Sequence, residues 1–341
     1  MLKHLAVCLV CILMLTGCAA KSSVTEAETG WKGRGTNSIP SVLANEESYF
    51  YFKNEGAHTY LMKERNGIAE KLCTVKNCEH GAWDCPAAAW NETVGLMAYG
   101  DALYARSLGA GAVVRYDLMG RQGREELILQ EDGVEAFTIG NDVLYAVLQP
   151  TDGGFEVLAL PLDEKDAQTE SIKFAEDAPL LLSTDSALWY EDKLFVLQTV
   201  SEEGGAVMRI AQLDMEQGSV KVLAMSVTDR TISVTDGVLA YSEKREGSYV
   251  VCLRNLKDGS VVECMQSNEP VDVIATGSGF ALDDCKSSRV VNWVDTEGKT
   301  LGSAMLNDLT EACSGALDDE LYYVTSGDLQ IITISTLEES A

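Results

Sequence analysis

The chain has 341 residues, 46% hydrophobic and 23% charged, which are the proportions of a folded protein and exclude wholesale disorder. Its length suits one large domain or two medium ones. Fifty-three acidic residues against 26 Lys and Arg give a net charge of −27, so nucleic acid and bare anionic lipid, both polyanionic, are excluded as partners. Only three histidines occur, His4, His58 and His80, which leaves little material for histidine-based catalysis.

The first 17 residues read as a signal. Lys3 precedes an apolar run from Leu5 to Leu15, which is too short to span a bilayer and suits the core of a signal peptide. Leu15-Thr16-Gly17-Cys18 follows directly. This box resembles the cleavage pattern of bacterial lipoproteins. The resemblance implies cutting before Cys18, lipid on the Cys18 thiol, and a membrane partner reached through that anchor on the extracytoplasmic face of the cell membrane. A plain secretory signal with a chance cysteine is the alternative. Two or three acyl chains suffice for stable anchoring. From residue 18 to 41 the chain turns to Ser, Thr, Gly, Lys and Glu without apolar periodicity, the composition of a flexible tether.

Residues 42–341 are expected to form one all-β domain, because a short motif recurs. A small or acidic residue is followed three positions later by a large apolar one, as Glu47/Phe50, Asp101/Tyr104, Asp142/Tyr145, Asp192/Phe195, Asp236/Leu239, Gly277/Phe280 and Asp319/Tyr322. Successive spacings are 54, 41, 50, 44, 41 and 42 residues, near the ~40–50 of propeller blades. Each unit holds short aliphatic and aromatic runs separated by polar turns, as in Val250–Arg254, Lys257-Asp258-Gly259-Ser260 and Val261–Cys264. This pattern predicts a β-propeller of seven blades, with six or eight as alternatives. The last unit ends one strand short, and the segment from Trp31 to Leu43 is expected to complete it.

The first interval exceeds the others, and the surplus falls on an insert at 73–87. Cys73, Cys78, His80 and Cys85 stand there in the spacing C-x4-C-x-H-x4-C. Three thiols and an imidazole are the donor set of a tetrahedral zinc site, and four filled positions point to a structural role. A disulfide leaving one thiol over is the competing reading for an exported chain. Leu72-Cys73, Asn77-Cys78-Glu79-His80 and Cys85-Pro86-Ala87 together resemble an element of lipoproteins from Gram-positive anaerobes. In those proteins it also follows a first hairpin and precedes propeller-like repeats. The resemblance implies fold and location and brings no activity with it.

Cys252 and Cys264 flank the Lys257-Asp258-Gly259 turn and are a candidate cross-strand disulfide, if a three-residue loop sets them opposite each other. Two buried thiols are the alternative. The sequence has no G-x-S-x-G in the exported part, no H-E-x-x-H and no phosphate-binding loop. Acidic clusters at 163–166, 283–284 and 318–320 could supply paired carboxylates for glycoside chemistry. Trp83, Trp90, Trp189 and Trp293 offer stacking faces or inter-blade packing. The balance points to a lipid-anchored, non-enzymatic binding or scaffolding module for an unknown protein or glycan. A carbohydrate-active enzyme with carboxylates at the central channel and an envelope sensor are the alternatives.

Overall fold

The computed structural model describes residues 31–32, 37, 42–45, 47–55, 58–80, 85–89, 93–107, 111–121, 125–129, 133–150, 154–164, 167–174, 180–229, 231–284, 290–305, 315–317, 320–325 and 328–333. Cys18 and the lipoprotein box lie outside them, as do Trp83, Trp90, Cys285, Cys313, Asp318 and Asp319. The described secondary structure is all β, and the chain is a β-propeller. No helix among the described residues is long and apolar enough to cross a membrane.

Seven antiparallel sheets follow one another along the chain. Their inner strands are Val42–Asn45 (with Trp31–Lys32 added on its inner edge), Thr93–Tyr99, Val134–Gly140, Leu180–Tyr190, Ser233–Thr235, Asp272–Thr276 and Gly315–Leu317. Within each sheet the chain moves outward one strand at a time. Sheets 2 to 6 hold four strands, and sheet 1 holds four plus the short strands Trp31–Lys32 and Ala88–Ala89. Sheet 7 holds three, ending at Asp328–Thr333. Six complete blades are thus described where seven were expected. The reason is the destination of the N-terminal segment. Val42–Asn45 pairs with Tyr49–Glu55, and Trp31–Lys32 pairs back on Asn45 and Ala44. Both therefore add to the first sheet, and neither supplies the missing strand of the last. The ring closes by packing: the inner strand of sheet 7 lies against that of sheet 1, and Tyr322 joins the core between sheets 1 and 2.

The core is divided among the gaps between consecutive sheets. Leu103, Val114 and Tyr116 face sheet 1, while Tyr104, Val113 and Ile128 face sheet 3. Phe155 and Phe174 pack toward sheet 4, where Leu194, Val196 and Leu213 meet them. Alternate residues of every strand meet opposite neighbours, so both faces are buried and the inner strands carry long apolar runs.

The recurring motif is a hairpin turn. Gly140 pairs with Val143, Tyr190 with Lys193 and Thr235 with Val238, so two residues join each inner strand to the next. Asn141-Asp142, Glu191-Asp192 and Asp236-Gly237 all have positive φ, the backbone of a type I′ turn, whose twist matches the flanking strands. The aromatic three positions on enters the core: Tyr104, Tyr145, Phe195, Phe280 and Tyr322 are all buried.

One N-terminal residue reaches deep into the ring. Asn37 is buried; its Oδ1 accepts from the Ser233 hydroxyl at 2.6 Å and from the Ala275 amide at 2.8 Å. It thereby ties together the inner strands of sheets 5 and 6, and it bridges Ser233 through the backbone as well. Asn37→Ala strands a buried N–H and is expected to cost ~1–3 kcal/mol, read as a lowered midpoint in urea unfolding with an unchanged slope.

Candidate metal centre

The insert grows out of the outer edge of sheet 1. Two short strands pair with the same strand, His58–Arg65: Ile68–Lys71 along its C-terminal half and Ala88–Ala89 along its N-terminal half. Residues 72–80 and 85–87 lie between them in sequence, and the Leu72 amide and Ala87 carbonyl bond Leu61 at 2.9 and 2.8 Å. Both ends of the loop are thus fixed to one residue of a buried strand.

Two tight turns bring the donors inward. The Cys78 amide donates to Val75 O at 3.2 Å, and Asn77 carries a positive φ of 61°. The Ala88 amide donates to Cys85 O at 2.9 Å, closing the turn that contains Pro86. His80 also has a positive φ, 57°, and its carbonyl accepts from the Tyr60 hydroxyl at 2.5 Å. A left-handed backbone is uncommon for histidine, and here it turns the imidazole back toward Cys85, with Nδ1 3.3 Å from Sγ.

The Cys73, Cys78 and Cys85 sulfurs and a His80 ring nitrogen all lie within 4.8 Å of one another. A tetrahedron with Zn–S near 2.3 Å has edges of roughly 3.8 Å, so four donors of this span can close on one ion with small movements. Cys85 is buried and the other three are half-buried. Burial, with Cys78 and Cys73 beside it, pushes the Cys85 thiol up to about 12, so without an ion this thiol keeps its proton and a divalent cation would displace it. No disulfide joins the cysteines of the cluster among the described residues.

The loop also holds sheet 1 to sheet 2. The Thr74 amide donates to Gly120 O at 2.8 Å, and the Thr74 hydroxyl lies 3.0 Å from Met119 O and 3.1 Å from Gly120 O. Gly120 sits at positive φ in the turn between the third and outer strands of sheet 2. A Cβ there would meet the Leu72 and Cys73 backbone at 3.0 Å, so only glycine admits this approach.

The other expectations fare unevenly. The register sets Cys252 opposite Glu263, and Cys264 falls in a bulge. Both are free thiols. Cys252 packs in the core between sheets 4 and 5 and Cys264 in that between sheets 5 and 6, so the expected disulfide is corrected: a bulge flips Cys264 to the opposite face. His58 is exposed at the start of its strand. Asp163 and Glu164 are exposed, whereas Asp283 and Asp284 are buried. Trp189 stacks on Tyr145 between sheets 3 and 4, ring centroids 4.6 Å apart.

A second cluster escaped the sequence reading. Glu135 and Asp185 each occupy a register shift of an inner strand, in sheets 3 and 4. The Thr184 amide donates to Glu135 Oε2 at 2.6 Å, and the Thr199 hydroxyl to Asp185 Oδ2 at 3.1 Å. Burial and the nearby Asp185 charge hold the Glu135 carboxyl up at about 7, against the Thr184 hydrogen bond and the Arg106 charge. Partial desolvation likewise raises Asp185, with Asp229 adding to it. A signal did exist: Glu135, Asp185 and Asp229 each stand seven residues before the turn acids Asp142, Asp192 and Asp236.

No protein-family model and no curated relative matches the chain. Solved structures do. A streptogramin B lyase is 10% identical over 88% of this chain and 92% of its own, with a TM-score of 0.55. An inactive virginiamycin B lyase from Staphylococcus aureus with quinupristin is 9% identical over 87% and 94%, also at 0.55. A puromycin hydrolase is 13% identical over 84% of this chain and 49% of its own, at 0.54. At these identities the likeness is one of fold, and the chain is similar to β-propellers of differing activity.

Proposed function

We propose that the protein is a lipid-anchored β-propeller on the extracytoplasmic face of the cell membrane, a binding or scaffolding module whose first two blades are clasped by a structural zinc ion. The observation that carries the anchored reading is the Leu15-Thr16-Gly17-Cys18 box; further on, within the stretch expected as a tether, Asn37 is bonded into the inner strands of sheets 5 and 6. A pull on an anchor at Cys18 would reach Trp31–Lys32 on sheet 1 first and Asn37 next. Cys18→Ser is expected to move the protein from the membrane fraction into the medium; retention in the membrane would sink the anchor.

The clasp rests on the donor set at Cys73, Cys78, His80 and Cys85. Bound zinc would cross-link the four donors, and with all positions filled it would leave none open to water. The chain's own part is to hold both ends of the loop on Leu61 and Thr74, near its start, on Gly120, so that closing the cluster draws sheet 1 onto sheet 2.

A second reading, a carbohydrate-active enzyme, draws on Glu135 and Asp185. A carboxyl held near 7 suits a proton donor at neutral pH. Hydrolysis of an aryl glycoside that is lost in Glu135→Gln would establish it.

A further inference from the structure

The carboxylates of sheets 3, 4 and 5 have a cationic counterpart in sheet 2. Arg106 ends the strand Ala102–Ser107 one residue before its close, on the face that packs toward sheet 3 with Ala102 and Tyr104. The charges of Glu135 and Asp185 both act on it. Its guanidinium makes no hydrogen bond or close ion pair among the described residues. Five N–H donors in a half-buried site without an acceptor are costly to leave unmet.

The acids are set out with similar care. Glu135 and Asp185 are the extra residues of bulges in adjacent inner strands, and bulges re-aim side chains at ring rims and sites. Asp229 holds the equivalent place just before the inner strand of sheet 5. Thr184 and Thr228, which directly precede Asp185 and Asp229, are buried at 2% and 9% exposure. Among the described residues their hydroxyl oxygens have no hydrogen-bond partner. Asp185 and Asp229 themselves stay open to solvent. The site therefore sets Arg106, on the second strand of sheet 2, against carboxylates on or just before the inner strands of sheets 3, 4 and 5, with Asp185 and Asp229 open to solvent.

We propose that Arg106, Glu135, Asp185 and Asp229 bind a ligand carrying a free α-amine next to a carbonyl or carboxylate, an amino acid or a peptide N-terminus. The ammonium sits among the three carboxylates, and the neighbouring oxygen accepts from Arg106. Three acids against one arginine favour a cation, and the net charge of −27 draws cations toward the body. A neutral sugar would call for an aromatic platform, and the Tyr145–Trp189 pair stacks on itself near the hairpin-turn end of its strands. This inference rests on the binding-module reading and is independent of the anchor and of zinc.

The test is calorimetric titration of the exported chain from residue 19 onward with trialanine, N-acetyl-trialanine, free alanine and cellotriose. Trialanine is expected to bind, with affinity falling at least tenfold on acetylation. The same loss is expected in Arg106→Gln and in Asp185→Asn, with melting temperatures unchanged. Free alanine binding as tightly as trialanine would identify the amino acid as the ligand, and weaker binding would identify the peptide terminus. Equal affinity for the acetylated peptide, binding of cellotriose alone, or no binding by any probe would overturn the proposal. The acetylated probe keeps the test valid even if a variant fails to fold.

Discussion

Stripping metal from the purified chain with a strong chelator is expected to lower its melting temperature by ~10 °C, and returning one equivalent of zinc to restore it. A ligand that binds only the folded state at a thousandfold above its Kd adds about 4 kcal/mol, and each kcal/mol moves the midpoint of a large domain by roughly 2–4 °C. Cys85→Ser is expected to reach the same lowered value and to respond to neither treatment, since Cys85 is the buried member of the cluster. The loss should begin at one seam: amide exchange at Thr74, which donates to Gly120, should accelerate before that of sheets 4 and 5. About one zinc per chain by elemental analysis, and Cys73, Cys78 and Cys85 all titratable under denaturation, complete the expected result. A metal-free preparation with two of these thiols missing would replace the clasp with a disulfide.

Gly279→Ala should be nearly as damaging, for a reason unrelated to metal. Gly279 opens the second strand of sheet 6, where an added Cβ would lie 2.1 Å from the Val294 carbonyl oxygen and 2.9 Å from Asp295 Cα. The obstructing atoms are backbone, so no rotamer change relieves the contact, and the strands pairing Phe280 with Val294 must move apart. Overpacking of this kind typically costs 1–3 kcal/mol and more where nothing can yield, so we expect at least ~3 kcal/mol in denaturant unfolding. Gly204→Ala, at a turn where an added Cβ meets nothing within 4 Å, serves as the control and should stay within about 0.5 kcal/mol.

The fold was legible because its repeating unit is local. A two-residue turn followed by an aromatic at a fixed offset needs no long-range information, and Asp142/Tyr145 and Asp192/Phe195 announced two hairpins each joining an inner strand to the next. The insert was legible for the same reason, its four donors falling within 13 residues. The ring closure was not, since Trp31–Lys32 and Val42–Asn45 could add to either neighbouring sheet, and pairing across a short loop to Tyr49 decided it. Cys264 was misplaced by a single bulged residue, which reverses a side chain's face without leaving a mark in composition. The Arg106–Glu135–Asp185 cluster draws on three sheets. Its only trace is the shared offset from the turn acids, which has meaning once the ring is known.

The hairpin turns have an electrostatic consequence. Because the inner strands of sheets 2 to 5 each end in a two-residue turn, Asp101, Asp142, Glu191, Asp192 and Asp236 gather at one end of the ring. Neighbouring turns touch: the Asn141 amide reaches the Asp192 carboxylate across sheets 3 and 4, and the Gly237 amide donates to the Tyr190 hydroxyl at 2.9 Å across sheets 4 and 5. Like charges on neighbouring turns add their potentials wherever they approach within the ~8 Å screening length of physiological salt. The rim at the hairpin turns therefore carries an acidic crown. Beside an anionic bilayer such a crown is repelled, so charge as well as tether would set which rim the ring turns outward.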